Sequence, residues 1–329
     1  MRLLVLGGTL FLGRHVVAGA LERGWEVTLL NRGRTHPELF PEAERLVGDR
    51  TEPGSLEVLK GRTWDAVLDT CGYVPRVVRA SAEALRGAAP RYTFISTISV
   101  YDLGDDGLPS VPEEAALLQL DDPTTEEVTP ETYGGLKALC EAACREVWGE
   151  GRAWIVRPGL IVGPHDPTDR FTYWPLRLAR GGDVLAPSPA DAKVQFIDVR
   201  DLARWLLDGL EAGVAGTFNA TGPRTRMGDV LDACAEHAPA GTRILWTEPD
   251  ALEAQEVTPF QDLPLWVTGA SASLYRAVIE RAVAAGLGFT PLAQAVADTL
   301  AWAAARPEAA LKAGLTPERE AEIVAKLYG

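Results

Sequence analysis

The stretch Arg2 to His15, RLLVLGGTLFLGRH, constrains the chain more than any other. Residues 2–6 form a short, mostly apolar run without alternation that opens directly into glycines, the pattern of a buried parallel strand. After Gly13 the apolar positions fall at helical spacing (Val16, Val17, Ala20, Leu21), and Arg23-Gly24 closes the helix. Residues 25–30 read as a second strand. A strand, a glycine turn and a helix in that order point a helix N-terminus and free backbone N–H groups at a phosphate. Gly8 and Gly13 also have the spacing of a triphosphate-binding loop, but that loop needs a Lys and a Ser/Thr where this chain has Arg14 and His15. Dinucleotide binding is the expectation, with Gly7, Thr9, Leu10, Phe11, Leu12 and Gly13 around the pyrophosphate.

The second strand runs out at Asn31-Arg32-Gly33-Arg34. In a dinucleotide fold this strand end meets the adenosine ribose, where an acid binds the 2′-OH of NAD and arginines accommodate the 2′-phosphate of NADP. Asn31 stands at the acidic position with Arg32 and Arg34 beyond it, which favours NADP over NAD by charge. A third strand, residues 43–47, ends at Gly48-Asp49-Arg50, placed to cap the adenine. A helix over 53–59 leads to a fourth strand over 64–69, ending at Thr70-Cys71-Gly72, small residues that let a backbone approach the cofactor. A helix over 75–86 and a fifth strand over 91–96 follow. This β/α alternation predicts an α/β fold with a doubly wound, Rossmann-type parallel sheet, whose ligands lie beyond the carboxyl ends of the strands.

The chemistry-bearing segments come next: Ser96-Thr97-Ile98-Ser99-Val100-Tyr101 at a strand end, and Tyr133-Gly-Gly-Leu-Lys137 opening a helix. Tyr and Lys at i, i+4 share one helical face. An ammonium beside a phenol lowers the phenol's pKa and makes it an acid/base usable near neutral pH. A Thr97 or Ser96 hydroxyl at the neighbouring strand end supplies a hydrogen bond to a reacting oxygen.

Together, Gly7-Gly8-Thr9-x-Phe11-Leu12-Gly13, Ser96-Thr97-x-Ser99-Val100-Tyr101 and Tyr133-x-x-x-Lys137 resemble the extended short-chain dehydrogenases/reductases, the NAD(P)-dependent epimerase/dehydratase-like proteins. Residues 157–164 and 194–203 are similar to segments at corresponding points of that family, and the resemblance covers most of residues 1–222. It implies Tyr133 as general acid/base, Lys137 lowering its pKa and holding the nicotinamide ribose, and Thr97 as the catalytic hydroxyl, with Ser96 as the alternative. It also implies Pro158 and Gly159 at the cofactor. The loop holding His165, Arg170 and Tyr173 mixes charge and aromatic surface as a ligand site does, and with Leu160 and Gln195 these are the expected contacts of a small hydroxyl or carbonyl substrate. The expected division is residues 1–162 and 194–222 for the cofactor, and 163–193 and 223–329 for a smaller, mainly helical substrate domain. The resemblance favours a homodimer. One departure stands out: Leu10 occupies the place of the family's middle glycine, where any left-handed requirement would cost about 1–2 kcal/mol. A branch with a bulky residue there includes proteins similar to the chloroplast stem-loop RNA-binding proteins, so a non-catalytic dinucleotide- or RNA-binding protein is the competing reading, and a nucleotide-sugar epimerase/dehydratase a third.

Composition narrows these. A net charge of −14 over 329 residues disfavours nucleic acid and anionic membrane as partners, since both need a basic face. No apolar run approaches the length of a membrane span, and four scattered cysteines build no disulfide framework, so a cytoplasmic, reduced setting is expected. Cys140 and Cys144 share a helix face but lack a His or third Cys, and His165, Asp166 and Asp169 lie in a Pro-punctuated loop without a second His; no metal is expected. Asp198 and Asp201 read as caps of a helix starting near Val199. The acidic, Pro-containing stretch between Tyr101 and Tyr133 reads as a solvated loop, with covering the cleft as its functional alternative. Trp246, Trp266 and Trp302 are expected packing anchors of the helical C-terminal part.

Overall fold

In the computed structural model, which describes residues 1–306 and 310–329, the chain alternates as its glycine-punctuated pattern requires. The first half runs β1 (Arg2–Leu6), α1 (Phe11–Glu22), β2 (Glu26–Asn31), β3 (Glu44–Val47), β4 (Ala66–Asp69), α2 (Pro75–Leu85), β5 (Tyr92–Ile95), α3 (Pro130–Trp148) and β6 (Ala153–Pro158). There follow β7 (Leu160–Val162), α4 (Tyr173–Arg180), β8 (Asp183–Pro187), β9 (Lys193–Val194), β10 (Phe196–Asp198), α5 (Val199–Ala212) and β11 (Gly216–Ala220). The last part holds β12 (Thr225–Arg226), α6 (Met227–Ala235), β13 (Arg243–Thr247), α7 (Pro249–Glu253), α8 (Glu280–Ala284), α9 (Leu292–Ala305) and α10 (Pro317–Tyr328).

Seven strands form one parallel sheet in the order β11-β6-β5-β4-β1-β2-β3. The order reverses between β1 and β4, and that switch point opens a crevice at the carboxyl ends. Both faces are covered. On one, α1 lays Val16, Val17 and Ala20 and α5 lays Leu202, Trp205 and Leu206 against Leu3, Val5 and Leu29. On the other, Val78, Ala82 and Leu85 of α2 and Cys140, Cys144 and Val147 of α3 cover Leu4, Leu6 and Phe94. Each large aliphatic side chain so buried contributes about 1.5–3 kcal/mol, and the two cysteines are small core side chains.

A second apolar core gathers Phe171, Trp174 and Leu178 with Leu231, Trp266, Val296 and Ile323. Helices dominate there, but β8 pairs in parallel with β13, a two-stranded sheet the helical expectation omits. Trp246 lies on that pair rather than in a helical interface, and Trp302 is half-buried against His165. The expected helix over 53–59 is a short 3-10 turn, Ser55–Leu59.

Two expectations change in physical meaning. Asp198 caps α5 by accepting the Arg200 N–H at 2.8 Å, but Asp201 accepts the Thr290 N–H and hydroxyl, tying α5 to the approach of α9. The 101–129 stretch is not simply solvated. Its first part packs Val111, Leu108 and Leu117 with Tyr101 and Ala277, and Val111 exchanges backbone hydrogen bonds with Arg276 and Val278.

Candidate active site

At the carboxyl ends of β1, β2, β4, β5 and β6 a cleft of about 600 Å³ opens. Nearly every residue expected at a cofactor lines it: Gly7, Thr9, Leu10, Phe11, Leu12 and Gly13, then Asn31, Arg32, Arg34, Asp49 and Arg50. Thr70, Cys71, Ser96, Thr97, Tyr133, Lys137, Pro158 and Gly159 complete the set. Reasoning from sequence omitted Tyr73, Val74, Ile161 and Pro167 from this wall. Tyr73 is the consequential omission: its ring lies 6.5 Å from that of Tyr133 and 5.4 Å from the Lys137 Nζ. Its position directly after Thr70-Cys71-Gly72 was the available signal.

The glycine turn is closed by tight contacts. A Cβ on Gly7 would stand 2.6 Å from the Thr70 Oγ1, and one on Gly13 would stand 2.9 Å from the Gly8 Cα. Gly7 and Gly8 take the positive φ values, 101° and 93°. Leu10 does not: its φ is −125°, an extended N-cap conformation without strain, and its side chain is 54% exposed toward the cleft. The expected cost at Leu10 is therefore absent. The left-handed residue is Phe11, at φ 36°, where a non-glycine is disfavoured.

At the end of β2 the Asn31 side chain works on the backbone. Its Nδ2 donates to the Gly7 carbonyl at 2.9 Å and its Oδ1 accepts the Gly33 N–H at 2.9 Å, so it ties the first turn to the second. Arg32 and Arg34 are exposed at the cleft, and their guanidinium groups make no hydrogen bond or ion pair among the described residues. Asp49 accepts the N–H and hydroxyl of Thr51, which lowers its pKa, with the two arginines adding to the effect. Arg50 differs from expectation. Instead of reaching over an adenine it turns inward onto Asp69, with bonds of 2.6 and 2.9 Å, and meets Cys71 Sγ at 3.5 Å. Burial alone would raise the Asp69 pKa, but the Arg50 charge and hydrogen bonds, helped by the Tyr92 hydroxyl, hold it below the usual carboxylate range.

Gly72 lies behind the wall rather than on it. A Cβ there would meet Phe94 at 2.5 Å and Val78 at 2.6 Å, and its carbonyl accepts from Lys137 Nζ at 2.7 Å. Lys137 is fully enclosed. Its Nζ also donates to the Ile95 carbonyl at 2.6 Å and stands 4.1 Å from the centre of the Phe94 ring. Burial lowers its pKa to about 8, against a smaller upward pull from nearby acidic groups. Tyr133 stands one turn earlier on α3, after the Thr129 capping box. The expected pairing is not what sets its pKa here. Burial raises it, a hydrogen bond with Thr97 offsets part of that, and Lys137 is held by two carbonyls instead. Thr97 is positioned by its own turn, accepting the Ser99 N–H at 3.1 Å, while the Ser96 Oγ is buried without a partner.

The expected substrate residues do not converge on this cleft. Gln195 is buried and clamps Ala277, donating to its carbonyl at 3.0 Å and accepting its N–H at 3.1 Å. Tyr173 is 2% exposed in the second core, stacked edge-on against Trp174. Arg170 lies over the Phe260 ring, and Leu160 is a strand residue paired with Phe196. His165 sits between His15 and Trp302, where burial lowers its pKa to about 4. In the same loop Asp169 pairs with Arg306, and Asp166 accepts the Thr168 N–H and hydroxyl. A smaller cavity of about 150 Å³ lies between the β8–β9 connection and residues 265–276, and Lys193, Arg224 and Arg276 are among its lining. Among the described residues no helix is long and apolar enough to cross a membrane.

A model described as the NAD dependent epimerase/dehydratase family matches residues 71–221. The ceramide reductase of Caulobacter vibrioides is 28% identical over 227 residues, 64% of this chain and 62% of that protein. The chloroplast stem-loop binding protein of 41 kDa b of Arabidopsis thaliana is 27% identical over 255 residues, 71% of this chain and 62% of that one. The chain thus matches less than two thirds of the length of either curated relative. The UDP-glucuronic acid 4-epimerase of Bacillus cereus, solved with NAD, superposes with a TM-score of 0.64 at 15% identity, covering 92% of this chain and 98% of that one. That last likeness establishes a shared fold.

Proposed function

We propose that this chain is an NAD(P)-dependent oxidoreductase or epimerase/dehydratase acting on a small hydroxyl or carbonyl substrate, a reading supported by the match of residues 71–221 to the NAD dependent epimerase/dehydratase family. One observation carries this reading: the glycine turn, Thr97 at the end of β5, and Tyr133 with Lys137 on α3 come from three separate segments and line a single cleft at the sheet's switch point. We read residues 1–162 and 194–222 as the cofactor-holding part and the remainder as the substrate part.

The residues present fit a dinucleotide. Gly7, Gly8 and Gly13 form a cradle that a Cβ would fill, the α1 N-terminus opens onto it without an acidic side chain in its first turn, and Ser96 offers a buried hydroxyl with no partner. Arg32 and Arg34, unpaired at the end of β2, support NADP over NAD, and Asn31 adds no negative charge there. The relatives named above include one solved with NAD, so the preference for NADP rests on these two arginines alone. When bound, the cofactor supplies or accepts a hydride.

The chain's own groups handle the proton. With its pKa raised by burial, Tyr133 is protonated at neutral pH and is loaded as an acid for an oxygen that gains negative charge. Lys137, titrating near 8, is still charged at pH 7 and stabilises that charge from a site closed to water. Thr97 orients the phenol.

Tyr133→Phe tests the assignment. Turnover of a carbonyl substrate with NADPH is expected to fall about a hundredfold or more while NADPH affinity stays within about twofold; full activity would refute the role of Tyr133. A nucleotide-sugar substrate is the second reading, supported by Lys193, Arg224 and Arg276 around the smaller cavity, and binding of a UDP-sugar would select it. An RNA-binding role sits poorly with a net charge of −14, and a gel shift with structured RNA across a salt series tests it.

A further inference from the structure

A second polar assembly, entirely buried, lies behind the catalytic face of α3. Arg157 on β6 grips Glu141 on α3 with two bonds of 2.8 and 2.7 Å. Its third nitrogen donates to the Tyr101 hydroxyl at 2.8 Å and to the Glu113 carbonyl at 2.8 Å. The Tyr101 hydroxyl passes its own proton to Asn219 Oδ1 at 2.6 Å. Asn219, on β11, donates its side-chain amide to the carbonyls of Val111 and Val278 at 3.0 and 3.1 Å and its backbone N–H to Glu113 Oε1 at 3.0 Å. Arg157, Glu141, Tyr101 and Asn219 are all at most 2% exposed.

Besides the Arg157–Glu141 pair, α3 is tied to its surroundings by the two Lys137 bonds, by Arg145 donating to the Thr217 hydroxyl at 2.9 Å and by the exposed Arg79–Glu146 pair; the rest of its contact is apolar. Apart from Lys137 and Glu141 its buried side is apolar, and at Gly134 and Gly135 it approaches so closely that a Cβ would stand 2.2 Å from the Ser99 carbonyl and 2.5 Å from Leu120. Apolar contact is non-directional and does not fix how far a helix slides along its axis. A slide of one residue is about 1.5 Å, enough to break both Lys137 hydrogen bonds. A bidentate guanidinium–carboxylate pair is directional and does fix it.

We propose that Tyr101, Arg157 and Asn219 are positioning residues that register helix α3, and with it Lys137 and Tyr133, against the 101–117 strap and the segment Arg276–Val278. This rests on reading α3 as the catalytic helix. The assembly reaches the wall of the smaller cavity, because Arg276, which lines that cavity, accepts the Val111 N–H and donates to the Leu108 carbonyl. None of the three residues lines the cofactor cleft.

The test uses lysine reactivity in the protein without cofactor. Acetic anhydride at pH 8 labels Lys60 and Lys326 on the surface, whereas Lys137, 3% exposed, is protected. Tyr101→Phe keeps the ring and removes one hydroxyl; Asn219→Ser acts from the far end. Each is expected to raise Lys137 labelling, read by mass spectrometry against Lys60, about fivefold. Leu231→Ala, in the second core, lowers the melting temperature and is expected to leave Lys137 protected. No rise in either relay variant, or an equal rise in Leu231→Ala, overturns the proposal. Since no cofactor is present, a protein that fails to bind NADPH would sink the function proposed above and leave this result readable.

Discussion

Replacing Lys137 by Met is expected to stabilise the ligand-free protein while removing a group the proposed reaction needs. A lysine held near 8, where an exposed one titrates at 10.5, carries a cost of about 3 kcal/mol in its charged form. At pH 7 both folded and unfolded chains carry that proton, so the cost is fully present. Met has similar reach and no charge, but it leaves the Gly72 and Ile95 carbonyls without their donor, a loss of about 1 kcal/mol each. The variant should therefore be about 1 kcal/mol more stable than the parent at pH 7. Between pH 8 and 10.5 the unfolded parent binds more protons at this site than the folded one, so the parent's stability rises with pH through that window and the variant's does not. By pH 10 the order should reverse, with the parent about 1–2 kcal/mol the more stable. Urea unfolding of both proteins at pH 7 and pH 10 gives the difference, in which all other titrations cancel. A difference unchanged between the two pH values would refute the claim that Lys137 is a desolvated cation.

Two further outcomes follow from local geometry. Leu10→Ala should change stability by less than about 0.5 kcal/mol, since its φ is unstrained and its side chain exposed, and a large effect in thermal unfolding would point to a packed Leu10. Glu320→Ala should cost about 3–5 kcal/mol in denaturant unfolding, because it strands the buried Arg177 and the Leu185 N–H; a loss below about 1 kcal/mol would contradict that pairing.

The lining of the cleft was legible because its signals are local. A glycine turn must follow β1, and the residues at the ends of β2, β4, β5 and β6 face the crevice by topology alone. What those side chains do there was less legible. Asn31 and Arg50 reached their places, but each bonds inward, to Gly7 and Asp69, through partners distant in sequence. A left-handed requirement at Leu10 would have strained it; positive φ falls instead at Gly7, Gly8 and Phe11. The surroundings of the expected substrate residues were not legible. Gln195 and Tyr173 are polar residues in a segment that looks like a pocket lining, yet Gln195 meets Ala277, 82 positions along, and Tyr173 packs under Gly314. Neither contact has a sequence period. Tyr73 was passed over because an aromatic after a strand end carries no pattern until Tyr133 is folded beside it.

On the proposed function, this cleft holds a phosphorylated dinucleotide on the glycine turn and the two unpaired arginines. Titrating NADPH and NADH into the protein and into Arg32→Ser/Arg34→Ser, followed by nicotinamide fluorescence, tests it directly. Both cofactors should bind the parent, NADPH more tightly, and the double variant should lose about tenfold or more of its NADPH affinity with NADH little changed. Equal losses for the two would contradict the NADP preference, and no binding of either to the parent would contradict the assignment of the cleft itself.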